Sequence, residues 1–155
     1  MELKIDQKII KQLVAVSKKD GIQKLVVGAV INRDNKFLLL ERVLSDFMGG
    51  LVELPSGAVD ENEDLLTALA REVKEETGLV IGLILTYLGS FDYTSGSGKK
   101  TRQFNFLIET EPGEIKLEAS EHQAYHLVAP SDKAFNTLNI SDSTKAILNA
   151  VIKQL

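Results

Sequence analysis

The spacing of apolar residues predicts several helices in this chain. Residues 6–18 and 61–77 each carry apolar side chains along one face, and the second segment is the clearest helix. A short helix is expected within residues 130–136, and a last helix begins at Ser141 or Asp142. The side chains that we expect this last helix to turn inward are Ile147, Leu148, Val151, Ile152 and Leu155.

Short polar residues mark the expected ends of the first two long helices. Asp6 is placed to cap the first helix, and Asp60 or Asn62 is placed to cap the second. Glu63 follows Asp60 at the spacing of a capping box. Gly78 suits the position just beyond the second helix, where the backbone often takes a left-handed conformation.

Runs of β-branched and apolar residues, bounded by turn residues, predict strands between the helices. The polar turn NRDNK separates the first two runs, which we interpret as a β-hairpin. The predicted strands are residues 23–31, 37–42, 51–54, 79–93, 102–110, 114–119 and 124–129. Because strands and helices do not alternate regularly, we expect an α+β fold, or α/β/α layers on a mixed sheet.

Composition narrows the class of protein. The chain has 155 residues, of which 44% are hydrophobic and 26% are charged, as in an ordinary globular domain. It has no cysteine, which excludes disulfides and thiolate metal sites. The formal net charge of −4 argues against a nucleic-acid polymer as partner. The short apolar runs argue against a membrane, and we expect a soluble, cytoplasmic protein without a secretion signal.

The segment REVKEETG, residues 71–78, gathers acids where a helix is expected to end. Glu72, Glu75 and Glu76 fall within an arc of about 100°, close to the negative end of the helix dipole. One interpretation is a solvated, charged face on which basic neighbours offset the repulsion. The other is a site for a hard divalent cation, which takes carboxylate oxygens as ligands. The spacing of the three acids does not decide between them.

The residues upstream complete a longer pattern. The stretch GAVDENEDLLTALAREVKEETGL, residues 57–79, places a glycine, a glutamate after five residues, and the acidic run after seven more. It resembles the nudix hydrolase signature GX5EX7REUXEEXGU, in which U is aliphatic. The matching positions are Gly57, Glu63, Arg71, Glu72, Val73, Glu75, Glu76, Gly78 and Leu79. The resemblance covers roughly residues 22–155.

The resemblance implies a fold and a reaction. Nudix hydrolases cleave a nucleoside diphosphate linked to another moiety with Mg²⁺ or Mn²⁺, on an α/β/α sandwich with a mixed sheet and a loop–helix–loop motif. Carried onto this chain, the metal ligands would be Glu72, Glu75, Glu76 and the carbonyl group of Gly57. Glu75 or Glu76 would also orient or deprotonate the attacking water.

The other signature residues are expected to support the motif. Glu63 and Arg71 would form a structural salt bridge, and Gly78 would end the helix. In this family an acidic residue on a late loop often reaches the metal ions or acts as the base. We expect Glu121 in that catalytic position; the alternatives are that Glu118 takes it or that Glu121 is a plain surface acid.

Outside the signature, two arginines and two histidines carry predictions. Arg42, at the end of a strand, and Arg102, beside a glycine-serine loop, are predicted to contact substrate phosphates. The alternative for each arginine is a solvated surface charge. His122 and His126 show no metal-ligand spacing with each other, so we expect a hydrogen-bonding or surface role for both.

The sequence leaves several substrates open. The segment ELPSG approaches the ELPAG form of ADP-ribose cleavers, but the proline that those proteins carry after the signature is absent. The compact chain resembles MutT-type enzymes, so we first expect cleavage of a (d)NTP to a (d)NMP and pyrophosphate. The alternatives are hydrolysis of ADP-ribose or a nucleotide sugar, and a non-catalytic nucleotide-binding module, which the intact signature disfavours.

The organisation of the chain is expected to be simple. Residues 1–20 would form an N-terminal helical extension, and residues 21–155 a nudix-like domain. The sequence leaves open whether the extension packs on its own domain or on a partner. It likewise leaves open whether the protein is a monomer or a homodimer.

Overall fold

The computed structural model describes residues 1–152, so the inward position predicted for Leu155 lies outside the described residues. Within them, the helices are α1 (Gln7–Lys19), α2 (Leu65–Thr77), α3 (Ala134–Thr137) and α4 (Asp142–Ile152). The strands are β1 (Glu2–Leu3), β2 (Lys24–Arg33), β3 (Lys36–Arg42), β4 (Val52–Glu53), β5 (Ser56–Ala58), β6 (Ile81–Thr94), β7 (Lys100–Thr110) and β8 (His122–Val128). No helix in this part of the chain is both long and apolar enough to cross a membrane.

The strands form a mixed β-sheet, which confirms the expected α+β fold. Its main path runs β1-β6-β7-β2-β3-β4. The pairs β1–β6 and β2–β7 are parallel, whereas β6–β7 and β2–β3 are antiparallel. Beside this path, β5 pairs with β2 and β8 pairs with β3, both antiparallel. These two additional strands bring the segments before α2 and after β7 next to the same part of the sheet.

Helices cover both faces of the sheet. Alternate residues of β3 enter different apolar clusters, with Leu38 and Leu40 in one and Phe37 and Leu39 in the other. The first cluster includes residues of α1 and α2, and the second includes residues of α3 and α4. Side chains alternate along a strand, so a strand that is apolar on both faces needs cover on both. The result is the expected α/β/α sandwich.

The hairpin predicted from the first two apolar runs is present. Strands β2 and β3 pair antiparallel next to a two-residue turn at Asp34 and Asn35. Both turn residues have positive φ angles, 52° and 64°. Aspartate and asparagine tolerate this left-handed conformation better than most residues, and such turns match the twist of the flanking strands.

The N-terminal end of α2 differs from the prediction. The helix begins at Leu65, and Asp64 rather than Asp60 or Asn62 is its cap, because the Asp64 carboxylate accepts a hydrogen bond from Thr67 N at 2.8 Å. Asn62 takes a positive φ of 66°, so the helix does not extend back through this residue. At the other end, Gly78 has a φ of 75°, so it ends the helix as predicted.

Two predicted details of the later chain are wrong. Residues 114–119 are not a strand, because Lys116 N donates to Thr77 O at 2.8 Å and so ties the segment to the end of α2. The apolar residues Ile115 and Leu117 pack against the core from there. Ile152 is 37% exposed rather than inward-facing, whereas Val151 before it is buried.

The N-terminal segment packs on its own domain. Strand β1 adds to the sheet beside β6, and Lys4 N donates to Ile84 O at 2.9 Å. In α1, Ile10 is buried in the same apolar cluster as α2. These contacts show that the segment packs on its own domain. The division into residues 1–20 and 21–155 stays a prediction.

Candidate metal and catalytic site

An acidic cavity of about 320 Å³ lies between β5, α2 and the start of β8. Its lining gathers four glutamates from separate parts of the chain, together with a few basic and aromatic residues. The lining residues are Lys24, Val26, Arg42, Asp46, Glu53, Ser56, Gly57, Ala58, Glu72, Glu76, Tyr93, Glu121 and His122.

Helix α2 turns two of its three predicted metal ligands into this cavity. Glu72 and Glu76 are four residues apart, so they lie one turn apart on the same face. Glu75 points elsewhere: its side chain is 58% exposed, does not line the cavity, and lies 3.3 Å from the Arg71 guanidinium. The metal contact predicted for Glu75 therefore stays a prediction.

Gly57 and Glu72 touch across the cavity wall. A Cβ atom built on Gly57 would overlap the carboxylate of Glu72. The backbone of β5 can approach this carboxylate only because residue 57 has no side chain. This close approach places the predicted Gly57 carbonyl ligand and the predicted Glu72 ligand in one small region.

Arg71 ties the loop before α2 to the helix. Its guanidinium donates two hydrogen bonds of 2.8 Å to Glu63, one of 2.9 Å to Ala58 O and one of 2.7 Å to Glu72. The hydrogen bonds from Arg71 lower the pKa of Glu63 to about 2, and a further bond from Asp60 N adds to this shift. These contacts are what the predicted bracing role of Glu63 and Arg71 requires.

Glu76 is a buried acid with few partners for its charge. Only 4% of the residue is exposed, and Oε1 accepts a hydrogen bond from Ser56 N at 2.6 Å. Burial, together with the charges of Glu121, Glu53 and Glu72, raises the pKa of Glu76 to about 9. Burial likewise raises the pKa of Glu72, although Arg71 offsets part of that effect.

A row of ionisable side chains leads from the cavity rim to Glu76. Arg42 donates to both oxygens of Glu53, from Nε at 2.7 Å and from Nη2 at 2.9 Å. His122 lies between two acids, with Nε2 at 3.0 Å from Glu53 Oε2 and Nδ1 at 3.4 Å from Glu76 Oε2. Burial acts to raise the pKa of Glu53, but the hydrogen bonds from His122 and Arg42 outweigh it and leave this pKa lowered.

Neither Glu53 nor His122 is among the site residues that the sequence predicts. Both adjoin such positions, since Glu53 opens the ELPSG segment and His122 follows Glu121 directly. These adjacencies were the available signal. Spacing along the chain could not show that the two side chains meet, because they are 69 residues apart.

The structure separates the remaining candidates. Glu121 lines the cavity, whereas the Glu118 carboxylate accepts a hydrogen bond from the Ser120 hydroxyl at 2.9 Å. Arg42 lines the cavity as well. Arg102 does not, because it is held by Asp92 at 2.7 Å and Asp20 at 2.9 Å. Its predicted phosphate contact gains no support from this geometry.

The arrangement fits a divalent cation. Ligand atoms of Glu76, Glu121 and His122 lie within 4.8 Å of one another. The His122 Nδ1 atom is buried and has no hydrogen-bond partner among the described residues. Crowded carboxylates repel each other unless a proton or a cation lies between them, and oxygen atoms are the preferred ligands of Mg²⁺.

A second cavity adjoins the acidic one. It has a volume of about 290 Å³ and shares Arg42, Glu53, Ser56 and Tyr93 with its neighbour. Its other lining residues include apolar and hydroxyl side chains, namely Met48, Leu51, Leu54, Phe91, Thr94, Ser141, Ser143 and Thr144, together with Gln103. The two cavities therefore share part of their lining, and one is acidic whereas the other is more apolar.

Comparison with known proteins agrees with this geometry. The NUDIX domain model matches residues 23–146. An ADP-ribose pyrophosphatase of Methanocaldococcus jannaschii is 43% identical over 106 residues, which are 66% of this chain and 62% of that protein. A CTP pyrophosphohydrolase of Escherichia coli K12 is 33% identical over 107 residues, 69% of this chain and 76% of that protein.

The fold is shared with solved structures. The crystal structure of a MutT NUDIX hydrolase from Burkholderia pseudomallei matches with a TM-score of 0.72 and 28% identity, over 83% of this chain and 97% of that one. The domain match covers most of the chain and contains every residue of the signature. This chain therefore belongs to the Nudix hydrolase family.

Proposed function

We propose that this protein hydrolyses a nucleoside diphosphate linked to another moiety, using a divalent metal ion held in the acidic cavity. The observation that carries the proposal is the meeting of Glu53, Glu72, Glu76 and Glu121 around one cavity. Carboxylates repel an anionic diphosphate, so an acidic cavity suits such a substrate only with a cation in between.

We assign proposed tasks to four signature residues and to Glu121. Glu72, Glu76, Glu121 and the Gly57 carbonyl would hold the metal ion, with Glu75 beside them on the exposed side of α2. When bound, a divalent ion offsets charge on the diphosphate and makes water easier to deprotonate. Glu121 is exposed to solvent and would accept that proton, whereas Glu76 is buried.

The first substrate class that we propose is a (d)NTP, cleaved to a (d)NMP and pyrophosphate. The cavity of about 290 Å³ beside the acidic one suits one nucleoside. Phe91 and Tyr93 in its wall offer aromatic faces on which a base can stack. The relative named CTP pyrophosphohydrolase supports this class.

ADP-ribose is the second candidate. The relative that bears the name ADP-ribose pyrophosphatase is 43% identical in the matched region. The ELPSG segment also approaches the form expected for that group. Products separate the two candidates, because ADP-ribose would yield AMP and ribose phosphate without pyrophosphate.

The test is a panel of nucleoside triphosphates, nucleotide sugars and ADP-ribose, incubated with Mg²⁺ or Mn²⁺. Phosphorus NMR of the products identifies the bond that is cut. We expect pyrophosphate from at least one triphosphate. Binding of nucleotides without turnover of any panel member would instead support a non-catalytic module. The cytoplasmic location and the monomeric or homodimeric state stay predictions.

We predict that Glu121→Gln lowers kcat by roughly 10²-fold or more, because removal of a general base typically costs this much. The matched control is Glu118→Gln, which removes an acid from the same loop but outside the cavity. This control is expected to retain wild-type turnover. Equal losses in the two variants would show that the loop, and not the Glu121 carboxylate, matters for the rate.

A further inference from the structure

His122 is a buried titratable residue of the cavity that lies outside the signature, so the signature does not explain its role. Its residue exposure is 3%, and it begins β8 directly after Glu121. The imidazole lies between the carboxylates of Glu53 and Glu76. Both ring nitrogens of a buried imidazole usually have a hydrogen-bond partner or a metal ion, so the partner of each nitrogen has to be identified.

The contacts of Glu53 assign a proton to the Nε2 atom of His122. Glu53 receives two hydrogen bonds from the Arg42 guanidinium, at 2.7 Å and 2.9 Å, which is the geometry of an ionised carboxylate. An ionised carboxylate can only accept, so its 3.0 Å contact with His122 Nε2 requires an N–H at that atom. In the neutral imidazole, the lone pair is then on Nδ1.

The lone pair on Nδ1 points toward acceptors. Nδ1 is buried without a hydrogen-bond partner among the described residues, and Glu76 Oε2 is 3.4 Å away. One ring nitrogen of His122 and one carboxylate oxygen from each of Glu76 and Glu121 lie within 4.8 Å of one another. Three electron-rich atoms around one space are mutually repulsive unless a cation or a proton lies between them.

We propose that His122 Nδ1 is a ligand of the metal ion in this cavity, and that it makes the site favour imidazole-binding transition ions such as Co²⁺ or Zn²⁺ over Mg²⁺. The inference rests on the proposed function, since it takes this cavity as the metal site. A metal-binding histidine typically donates its other N–H to a carboxylate that orients the ring, as Glu53 does here. Nitrogen ligands favour Co²⁺ and Zn²⁺, whereas Mg²⁺ prefers oxygen ligands alone.

The competing arrangement is a proton in place of the metal. A proton shared between Nδ1 and Glu76 would make His122 a hydrogen-bonding residue that positions Glu76. In that case the metal ion would have oxygen ligands only. The two arrangements differ in whether a metal–nitrogen bond forms, and spectroscopy reports that directly.

The first experiment is pulsed EPR of Mn²⁺ bound to the 155-residue chain without a histidine tag. The chain has two histidines, and His126 contacts Glu41 at 3.1 Å on another part of the sheet. In the His126→Gln variant, His122 is therefore the only imidazole. We expect nitrogen coupling to Mn²⁺ in this variant, with the pattern changing from ¹⁴N to ¹⁵N when histidine is labelled. Bound Mn²⁺ without such coupling would overturn the proposal.

The second experiment compares the Co²⁺ and Mg²⁺ affinities of wild type, His122→Asn and His126→Gln by titration calorimetry. Asparagine places an oxygen or nitrogen atom near the position of Nδ1 but is a poorer ligand than imidazole for Co²⁺. We expect His122→Asn to weaken Co²⁺ binding by about tenfold or more, the scale of changes around metal-ligating histidines, and to affect Mg²⁺ less. His126→Gln should leave both affinities unchanged.

The outcomes distinguish this inference from the proposed function. An unchanged ratio of Co²⁺ to Mg²⁺ affinity in His122→Asn, with normal turnover in the nucleotide panel, would overturn the role of His122 alone. Histidine-dependent metal binding without turnover of any nucleotide would instead overturn the proposed function. Because the EPR measurement leaves His122 intact, it stays decisive even if His122→Asn does not fold.

Discussion

At the scale of single residues, the site depends on groups held closer together than their chemistry favours. Gly57 approaches the Glu72 carboxylate so closely that even a methyl group would not fit. Glu76 is buried beside other acids, and its pKa rises to about 9 because burial disfavours its charge. Close approaches and strongly shifted pKa values of this kind are typical of functional sites rather than of residues that only stabilise the fold.

We predict that Gly57→Ala destabilises the protein by about 1–3 kcal/mol, as overpacking of a tight site usually does. The added Cβ would displace the Glu72 carboxylate, so turnover should also fall. Urea denaturation and the nucleotide assay measure the two effects. Gly96→Ala is the matched control, because a Cβ at that position meets nothing within 4 Å. Wild-type stability in Gly57→Ala would show that Glu72 moves freely.

At the scale of elements, helix α2 and the loop before it act as one unit. Arg71 lies in the middle of α2 and donates hydrogen bonds to Glu63 and to Ala58 O. Both of these groups belong to the segment before the helix. Asp64 caps the helix and Gly78 ends it, so both ends of α2 are fixed by local contacts. This unit therefore holds Glu72 and Glu76 in fixed positions beside the cavity.

We predict that the Glu63–Arg71 contact makes stability depend on pH. The pKa of Glu63 is lowered to about 2 in the folded protein. Its contribution to the free energy of unfolding is therefore fully present above the unfolded pKa of about 4.3. It is lost as the pH falls from there toward about 2. The melting temperature of Glu63→Gln should therefore lie below that of wild type at pH 7, and the difference should shrink in acid.

Glu61→Gln is the control for this measurement. Glu61 is an exposed acid in the same loop, so its substitution should change the melting temperature little at any pH. If the difference in melting temperature between Glu63→Gln and wild type stayed constant from about pH 7 to about pH 3, the pH dependence would not come from Glu63.

At the scale of the whole molecule, the mixed sheet brings distant acids into one cavity. Glu53 comes from β4, Glu72 and Glu76 from α2, and Glu121 from the residue before β8. β8 pairs with β3, and β5 pairs with β2 near the core of the sheet. Folding therefore gathers negative charge, and the folded protein is expected to bind cations more tightly than the unfolded chain does.

We predict that Mg²⁺ or Mn²⁺ raises the melting temperature. A ligand that binds only the folded state, at about 100 times its Kd, adds about 2.7 kcal/mol, or roughly 5–10 °C for a domain of this size. Glu76→Gln should reduce this gain, because it replaces a buried carboxylate of the cavity with a neutral amide. Glu118→Gln should keep the gain, and differential scanning fluorimetry measures all three proteins. An equal gain in Glu76→Gln would remove Glu76 from the metal site.

Local chemistry explains which predictions from the sequence succeed. Helix α1 with its Asp6 cap, the β2–β3 hairpin and the Gly78 end of α2 each depend on residues close together in the chain. The predicted strand at residues 114–119 fails because an alternating apolar pattern also suits a segment that packs against a helix end. The cap of α2 lies at Asp64 because Asn62 takes a positive φ, so the helix does not extend back to it.

The sequence by itself determined the family resemblance, the α+β class and the acids of the signature, because each of these is a matter of residue type and spacing. Only the tertiary structure decided that Glu72 and Glu76 share a cavity while Glu75 lies outside it. It also placed His122 between Glu53 and Glu76, which no spacing could show. The physical reason is that burial and pairing between distant segments arise from the packing of the sheet, and that packing is set by all its strands together.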